Sequence, residues 1–161
     1  MTEKEYDQII RKHYQQVAKK DGLSATSTMA DTITREKETQ ATVDYLAHFI
    51  ANWRVDCTPI ILDVGCGNGY TLEILTNYFP DVRFQGIEKS DDLRLLAESR
   101  FKGNEGVTIL AGDIRDPNFF GGETVDGLIC QRVLINLLES EDQKKALENL
   151  VRSVKKGGML L

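Results

Sequence analysis

Ile61-Leu62-Asp63-Val64-Gly65-Cys66-Gly67-Asn68-Gly69-Tyr70 joins a buried strand to a glycine turn that opens a helix. Pro59-Ile60-Ile61-Leu62 is a short apolar run with turn signals on both sides, the pattern of a parallel strand covered on both faces. Asp63 therefore falls at the strand's carboxyl end. In open α/β sheets the crevice beyond the carboxyl ends, near the point where strand order reverses, is where ligands bind. Glycines there let backbone approach a ligand that side chains would keep away, so the stretch marks a nucleotide-type pocket.

Spacing narrows the ligand. A dinucleotide fingerprint requires G-x-G-x-x-G, and here Tyr70 stands where its third glycine would be. The chain reads G-x-G-x-G, with Asp63 two residues before the first glycine. This resembles motif I of the class I S-adenosylmethionine-dependent methyltransferases. The resemblance implies that Gly65, Cys66, Gly67 and Gly69 pass beneath the methionine part of the cofactor, Cys66 as a small filler. It also implies that Asp63 orients the cofactor's amino group.

The following strands extend the pattern. Val82 to Glu88 reads as a second strand with an acidic tip 19 residues past Gly69. A carboxylate there accepts hydrogen bonds from both ribose hydroxyls, as in dinucleotide folds. Val107 to Ala111 is a third strand, followed by Gly112-Asp113-Ile114. By the resemblance, Asp113 accepts from the adenine amine and the Ile114 amide faces the ring. Asp113 also reads as an ordinary turn residue or helix cap.

Elsewhere, strand and helix alternate. Leu72, Leu75 and Phe79 mark a helix stopped by Pro80, and Ser90 to Phe101 another closed by Gly103. Val125 to Cys130 is a fourth strand. Ser140 and Gln143 then form a capping box for a helix carrying Ala146, Leu147, Leu150, Val151 and Val154. The expected fold is α/β, a Rossmann-like doubly wound parallel sheet with N-terminal helices. Lys155 to Leu161 resembles a glycine turn and the first residues of a fifth strand. The sheet is therefore expected to be truncated there, the chain being a fragment.

Upstream, Thr2 and Glu5 form a capping box for an amphipathic helix reaching Asp21-Gly22. Residues 23–33 are small and polar and suit a loop crossing the pocket. A second helix runs from about Thr34 to Arg54 on Val43, Leu46, Ala47 and Ile50. Two units are expected: a helical lid over residues 1–56 and a cofactor-binding domain over 57–161.

Composition bounds the partners. A chain of 161 residues with 41% hydrophobic content supports one sizeable core. The net charge of −5 argues against a nucleic-acid partner, which would need clustered Lys and Arg. Three scattered cysteines and two isolated histidines indicate neither a metal site nor a disulfide framework. No apolar run is long enough to span a bilayer, and a cytoplasmic location is expected. Oligomeric state is not legible.

The acceptor side rests on two segments. Gln131 to Leu137 follows the fourth strand tip; Gln131 is counted with the cofactor residues and Arg132 as a catalytic candidate, or else a solvated side chain. The segment lacks the Asn-Pro-Pro-Tyr signature of nucleic-acid amino-methylating enzymes. His13-Tyr14-Gln15-Gln16-Val17-Ala18 looks like the opening of small-molecule methyltransferases acting on quinones and sugars, with Gln15 in place of the usual Asp. Tyr14 is the second catalytic candidate, or a partly buried helix aromatic. Arg35 contacts the cofactor carboxylate or a substrate anion, or pairs with Asp31 or Glu38. The resemblance thus implies methyl transfer to oxygen or nitrogen of a small molecule. The alternatives are a non-catalytic cofactor-binding module, or an aminopropyltransferase, for which no acidic groove follows the fourth strand.

Overall fold

A computed structural model describes residues 3–27, 29–53, 56–122 and 124–161. Five parallel strands form one sheet in the order β3-β2-β1-β4-β5: β1 Ile60–Val64, β2 Arg83–Glu88, β3 Val107–Ala111, β4 Val125–Ile129 and β5 Val154–Leu160. The helices are α1 Glu3–Asp21, α2 Thr32–Ala51, α3 Tyr70–Tyr78, α4 Asp91–Arg100 and α5 Ser140–Arg152. Strand order reverses between β1 and β4, which places the ligand crevice above those two tips.

Side-chain alternation along the strands feeds two cores. Ile61, Phe84 and Ile129 pack with Val43 and Leu46 of α2, Leu72 and Leu75 of α3, and Ala97 of α4. Leu62, Val64, Ile87 and Leu128 face the other way, toward Ala146 and Leu150 of α5 and the Phe119-Phe120 pair. Burying each such side chain contributes about 1.5–3 kcal/mol. The sheet is held from both faces, which fixes the tips that carry the site.

Local details differ from expectation in instructive ways. Helix α2 begins at Thr32, because Asp31 caps it by accepting from Thr34 N (3.0 Å) and Thr34 Oγ1 (2.7 Å). Its buried polar pair Thr39 and Thr42 joins Val43 and Leu46, while Ala47 is exposed. The Ser140 capping box does not form: Glu139 is the N-cap without a side-chain bond, and Gln143 Nε2 donates to Leu137 O at 2.9 Å. Leu147 and Val151 lie exposed, since Ala146, Asn149 and Leu150 are the residues of α5 that meet the sheet. Strand β5 starts at Val154, before the two glycines, and its pairing with β4 breaks between Val125 and Gly127 before resuming at Met159. The expected Thr2 cap and the Arg54 helix end lie outside the described residues.

Candidate active site

A cavity of about 710 Å³ opens above the tips of β1, β2 and β4. That is within the roughly 300–1,000 Å³ typical of small-molecule pockets. The sheet supplies one wall, through Asp63, Gly65, Gly67, Glu88 and the Gly112-Asp113-Ile114 turn. The opposite wall comes from α1 (Tyr14 among others), α2 (Arg35 and Glu38) and the segment after β4.

Backbone geometry makes the first wall. Gly65 and Gly67 have φ of +74° and +58°, a region costly for residues with a Cβ. A Cβ on Gly65 would also strike the side chain of Val133. The Gly65 and Cys66 amides donate to Ile87 O at 2.7 and 3.1 Å, stitching the turn to β2. Gly67 N donates to Glu88 Oε2 at 2.9 Å, and Ser90 N to Glu88 Oε1 at 2.8 Å. Glu88 is only 8% exposed; burial pushes its pKa up against the pull of those backbone amides.

Asp63 is 5% exposed and, among the described residues, accepts no hydrogen bond. Burial first and the negative charge of Glu88 second raise its pKa to about 7, with Arg35 pulling the other way. Cys66 packs into the core behind the turn, and burial pushes its thiol well up, so it is inert filler.

At the β3 tip, Asp113 is already engaged. Arg115 grips it through Nε (3.1 Å) and Nη2 (2.7 Å), and Lys89 Nζ lies at 3.0 Å. Burial alone would raise its pKa, but these cations outweigh burial and hold it at about 2. Both cations also reach Asp7 of α1, Arg115 Nη2 at 2.8 Å and Lys89 at 3.3 Å. The amino end of α1 is thus latched to the adenine-side tips. Asn149 of α5 donates to Ile114 O at 2.8 Å from a buried position, fixing the next residue of the turn.

The far wall is made of side chains. Arg132 has a left-handed backbone, φ +60°, uncommon for a residue with a Cβ. Its guanidinium forks onto Glu38 at 2.8–3.1 Å. Asn136 donates from Nδ2 to Tyr14 Oη (3.1 Å) and to Arg132 O (3.2 Å), joining α1 to the β4 tip. Burial raises the Tyr14 pKa above its ordinary value, with the Asn136 bond opposing, so the phenol is neutral near pH 7.

Tyr14, Asp63, Gly65, Cys66, Gly67, Glu88, Asp113, Ile114, Gln131 and Arg132 all line this cavity, while Gly69 stands behind it as the N-cap of α3. Arg132, read as solvated or catalytic, is paired with Glu38. No described residue of the 23–33 loop lines the cavity. That loop packs on the glycine turn instead: Asn68 Nδ2 donates to Gly22 O and Ser24 O at 2.9 Å, and Arg100 reaches Leu23 O. Sequence reading missed Asn136, the pairing of Glu38 with Arg132 and the Asp7 latch, because a turn Asn and helix acids carry no local signature of a distant partner.

The sheet order, the glycine turn and the acidic strand tips define a Rossmann-like domain of the class I methyltransferase type. Residues 61–158 match the methyltransferase domain family, and the chain belongs to it. The tRNA (carboxymethyluridine(34)-5-O)-methyltransferase of Arabidopsis thaliana is 36% identical over 102 residues, 63% of this chain but 23% of that protein. The chain therefore spans about a quarter of the curated relative it matches. The magnesium protoporphyrin IX methyltransferase of Synechocystis, solved with bound S-adenosylmethionine, has a TM-score of 0.68 at 18% identity, covering 93% of this chain and 72% of that one. A sugar N-methyltransferase of Streptoalloteichus gives 0.61 at 23% identity, covering 76% and 45%. The fold is shared with both solved structures, and the cofactor is S-adenosylmethionine.

Proposed function

We propose that the domain transfers a methyl group from S-adenosylmethionine to an oxygen or nitrogen of a small-molecule acceptor, with residues 1–56 as a lid over the cofactor domain 57–161. The observation that carries this reading is a single cavity with two unlike walls, one of strand tips and one contributed by α1 and α2. The residues fit the cofactor: Asp63 is a buried carboxylate without a donor, and Arg35 Nε is buried without a partner. In this reading Glu88 uses its remaining lone pairs for the ribose hydroxyls, Asp63 holds the ammonium, and Asp113 with Ile114 meets adenine. When bound, the cofactor supplies a methyl group already activated by its sulfonium. The chain's own part is to align the acceptor and exclude water. Tyr14, neutral and tethered by Asn136, orients the acceptor and does not take its proton. The test is methyl transfer from labelled cofactor to a panel of phenols, hydroxy acids and amino sugars. Cofactor binding without turnover on any of them would leave a binding module.

The likeness to a tRNA-modifying enzyme gives a second reading, an RNA nucleoside as acceptor. The net charge of −5 weighs against this chain gripping a polyanion by itself. Incubation with unmodified tRNA and labelled cofactor separates the two. Label in the RNA and none in the panel would overturn the small-molecule reading.

A further inference from the structure

Two donors on α1 line the cavity without an acceptor. Arg11 and Tyr14 stand three positions apart, so they share one face of the helix. Tyr14 Oη accepts from Asn136 Nδ2, which also donates to Arg132 O, and the phenol's own proton has no acceptor among the described residues. Arg11 is exposed and enters no ion pair or hydrogen bond among those residues. The acids of this helical wall are engaged elsewhere: Asp7 holds Arg115 and Lys89, and Glu38 holds Arg132. A cation and a neutral hydroxyl on one helix face match the two oxygens of a carboxylate.

The same wall offers no base. Neither described histidine lines the cavity, burial keeps the Tyr14 phenol neutral, and both acids are tied to cations. On the strand-tip wall, Asp63 and Glu88 serve the cofactor's ammonium and ribose in the reading above, and Asp113 is clamped by Arg115. Asp91 and Asp92 open α4, just past the β2 tip that carries Glu88. An amine or phenol, with a pKa of about 10, would have to lose a proton here before or during transfer. A carboxylic acid, with a pKa of about 4, arrives already ionised. We propose that the acceptor is a carboxylic acid, bound as its carboxylate by Arg11 and the Tyr14 hydroxyl, and that the product is its methyl ester. One carboxylate oxygen forms a bond to the methyl carbon as the carbon–sulfur bond breaks and its electron pair returns to sulfur; no proton moves. This rests on the methyl-transfer reading and narrows its acceptor to one class.

The experiment supplies labelled S-adenosylmethionine with matched sets of acid, alcohol and amine on the same carbon skeleton, aliphatic and aromatic, beginning with benzoate, benzyl alcohol and benzylamine. Mild base releases the label of a methyl ester as volatile methanol, whereas methyl ethers and methylamines keep it. Label should enter acids and be base-labile, with saturated turnover level between about pH 7 and 9 because no proton has to leave. Arg11→Gln should raise the KM for acids about tenfold, with kcat and the calorimetric Kd for S-adenosylhomocysteine within about twofold of wild type. Arg11→Lys should recover part of that loss. Label confined to alcohols or amines, or stable to base, would overturn the ester inference and leave methyl transfer standing. An unchanged KM for acids in Arg11→Gln would make Arg11 a solvated surface residue and overturn its role. A domain that binds S-adenosylhomocysteine yet labels no compound would overturn the methyl-transfer reading, and with it this one.

Discussion

The two walls of the cavity are built by opposite means. The strand-tip wall is backbone: the Gly65 and Cys66 amides bonded to Ile87 O, a Glu88 carboxylate taking two more amides, and Asp63 and Glu88 set at the buried ends of β1 and β2. The helical wall is side chains. Among the described side chains of α1 only Ala18 is buried, and the helix is held at Asp7 by ion pairs to half-exposed Lys89 and to Arg115, and at Tyr14 by one Asn136 bond. Exposed pairs are worth about 0.2–1 kcal/mol each, and a buried aliphatic side chain several times that. One wall is therefore held more firmly than the other, and the lid proposed above would open at the weaker one.

The two ends of α1 repeat the contrast. Past Asp21, Gly22 and Ser24 are pinned by Asn68, which is 1% exposed. The Asp7 end relies on ion pairs to part-buried Arg115 and half-exposed Lys89. Opening should hinge at Gly22 and begin at Asp7, a motion of the kind that admits substrate and then excludes water.

Breaking the rigid wall should have the largest effect. Gly67→Val places a β-branched residue at φ +58° in a turn that lines the cavity, and should weaken S-adenosylhomocysteine more than about a hundredfold. Circular dichroism of the helices should stay near wild type. Normal affinity would show that the ligand lies elsewhere.

Glu88→Ala comes next, with an expected loss of roughly ten- to a hundredfold in titration, since a charge-assisted acceptor is worth about 1.5–3 kcal/mol. An unchanged Kd in a folded variant would remove Glu88 from the ribose site.

The raised pKa of Asp63, about 7, gives a pH signature. An ammonium beside it requires the carboxylate, so binding below pH 7 must release a proton. Affinity should rise by up to about tenfold per pH unit toward pH 7 and flatten above, and Asp63→Asn should lose that slope. The stability sign is opposite. The folded domain keeps a proton that the unfolded chain has lost, so Asp63 costs the free domain stability as pH rises from about 4 toward 7. Thermal melts of Asp63→Asn should therefore exceed wild type at pH 7 by more than at pH 4.

The smallest effects should come from the movable wall. Tyr14→Phe should lower turnover about two- to tenfold while leaving S-adenosylhomocysteine affinity alone. Asp7→Asn should speed hydrogen exchange in residues 5–15 and leave 22–27 unchanged, the difference shrinking in high salt. Equal acceleration along α1 and the following turn would mean that both ends are latched alike.

The sequence by itself determined the parallel α/β sheet, the glycine turn and the acids at three tips. These are local, backbone-level features: an apolar run of four or five residues, a positive-φ requirement, a residue at a strand's end. The structure decided partnership. Asp31, Glu38 and the cavity were all open to Arg35 in the sequence, and the fold commits the two acids elsewhere. Asp113 reads as a free acceptor or a turn residue, yet it is clamped by Arg115 and Lys89. The loop of residues 23–33 reads as a pocket cover, yet Asn68 and Arg100 hold its start against the glycine turn, and α1 lines the pocket instead. Arg132 meets Glu38 across 94 positions of chain and Arg115 meets Asp7 across 108. Charges so far apart in sequence acquire partners only when the packed sheet fixes where each strand tip and helix face lies.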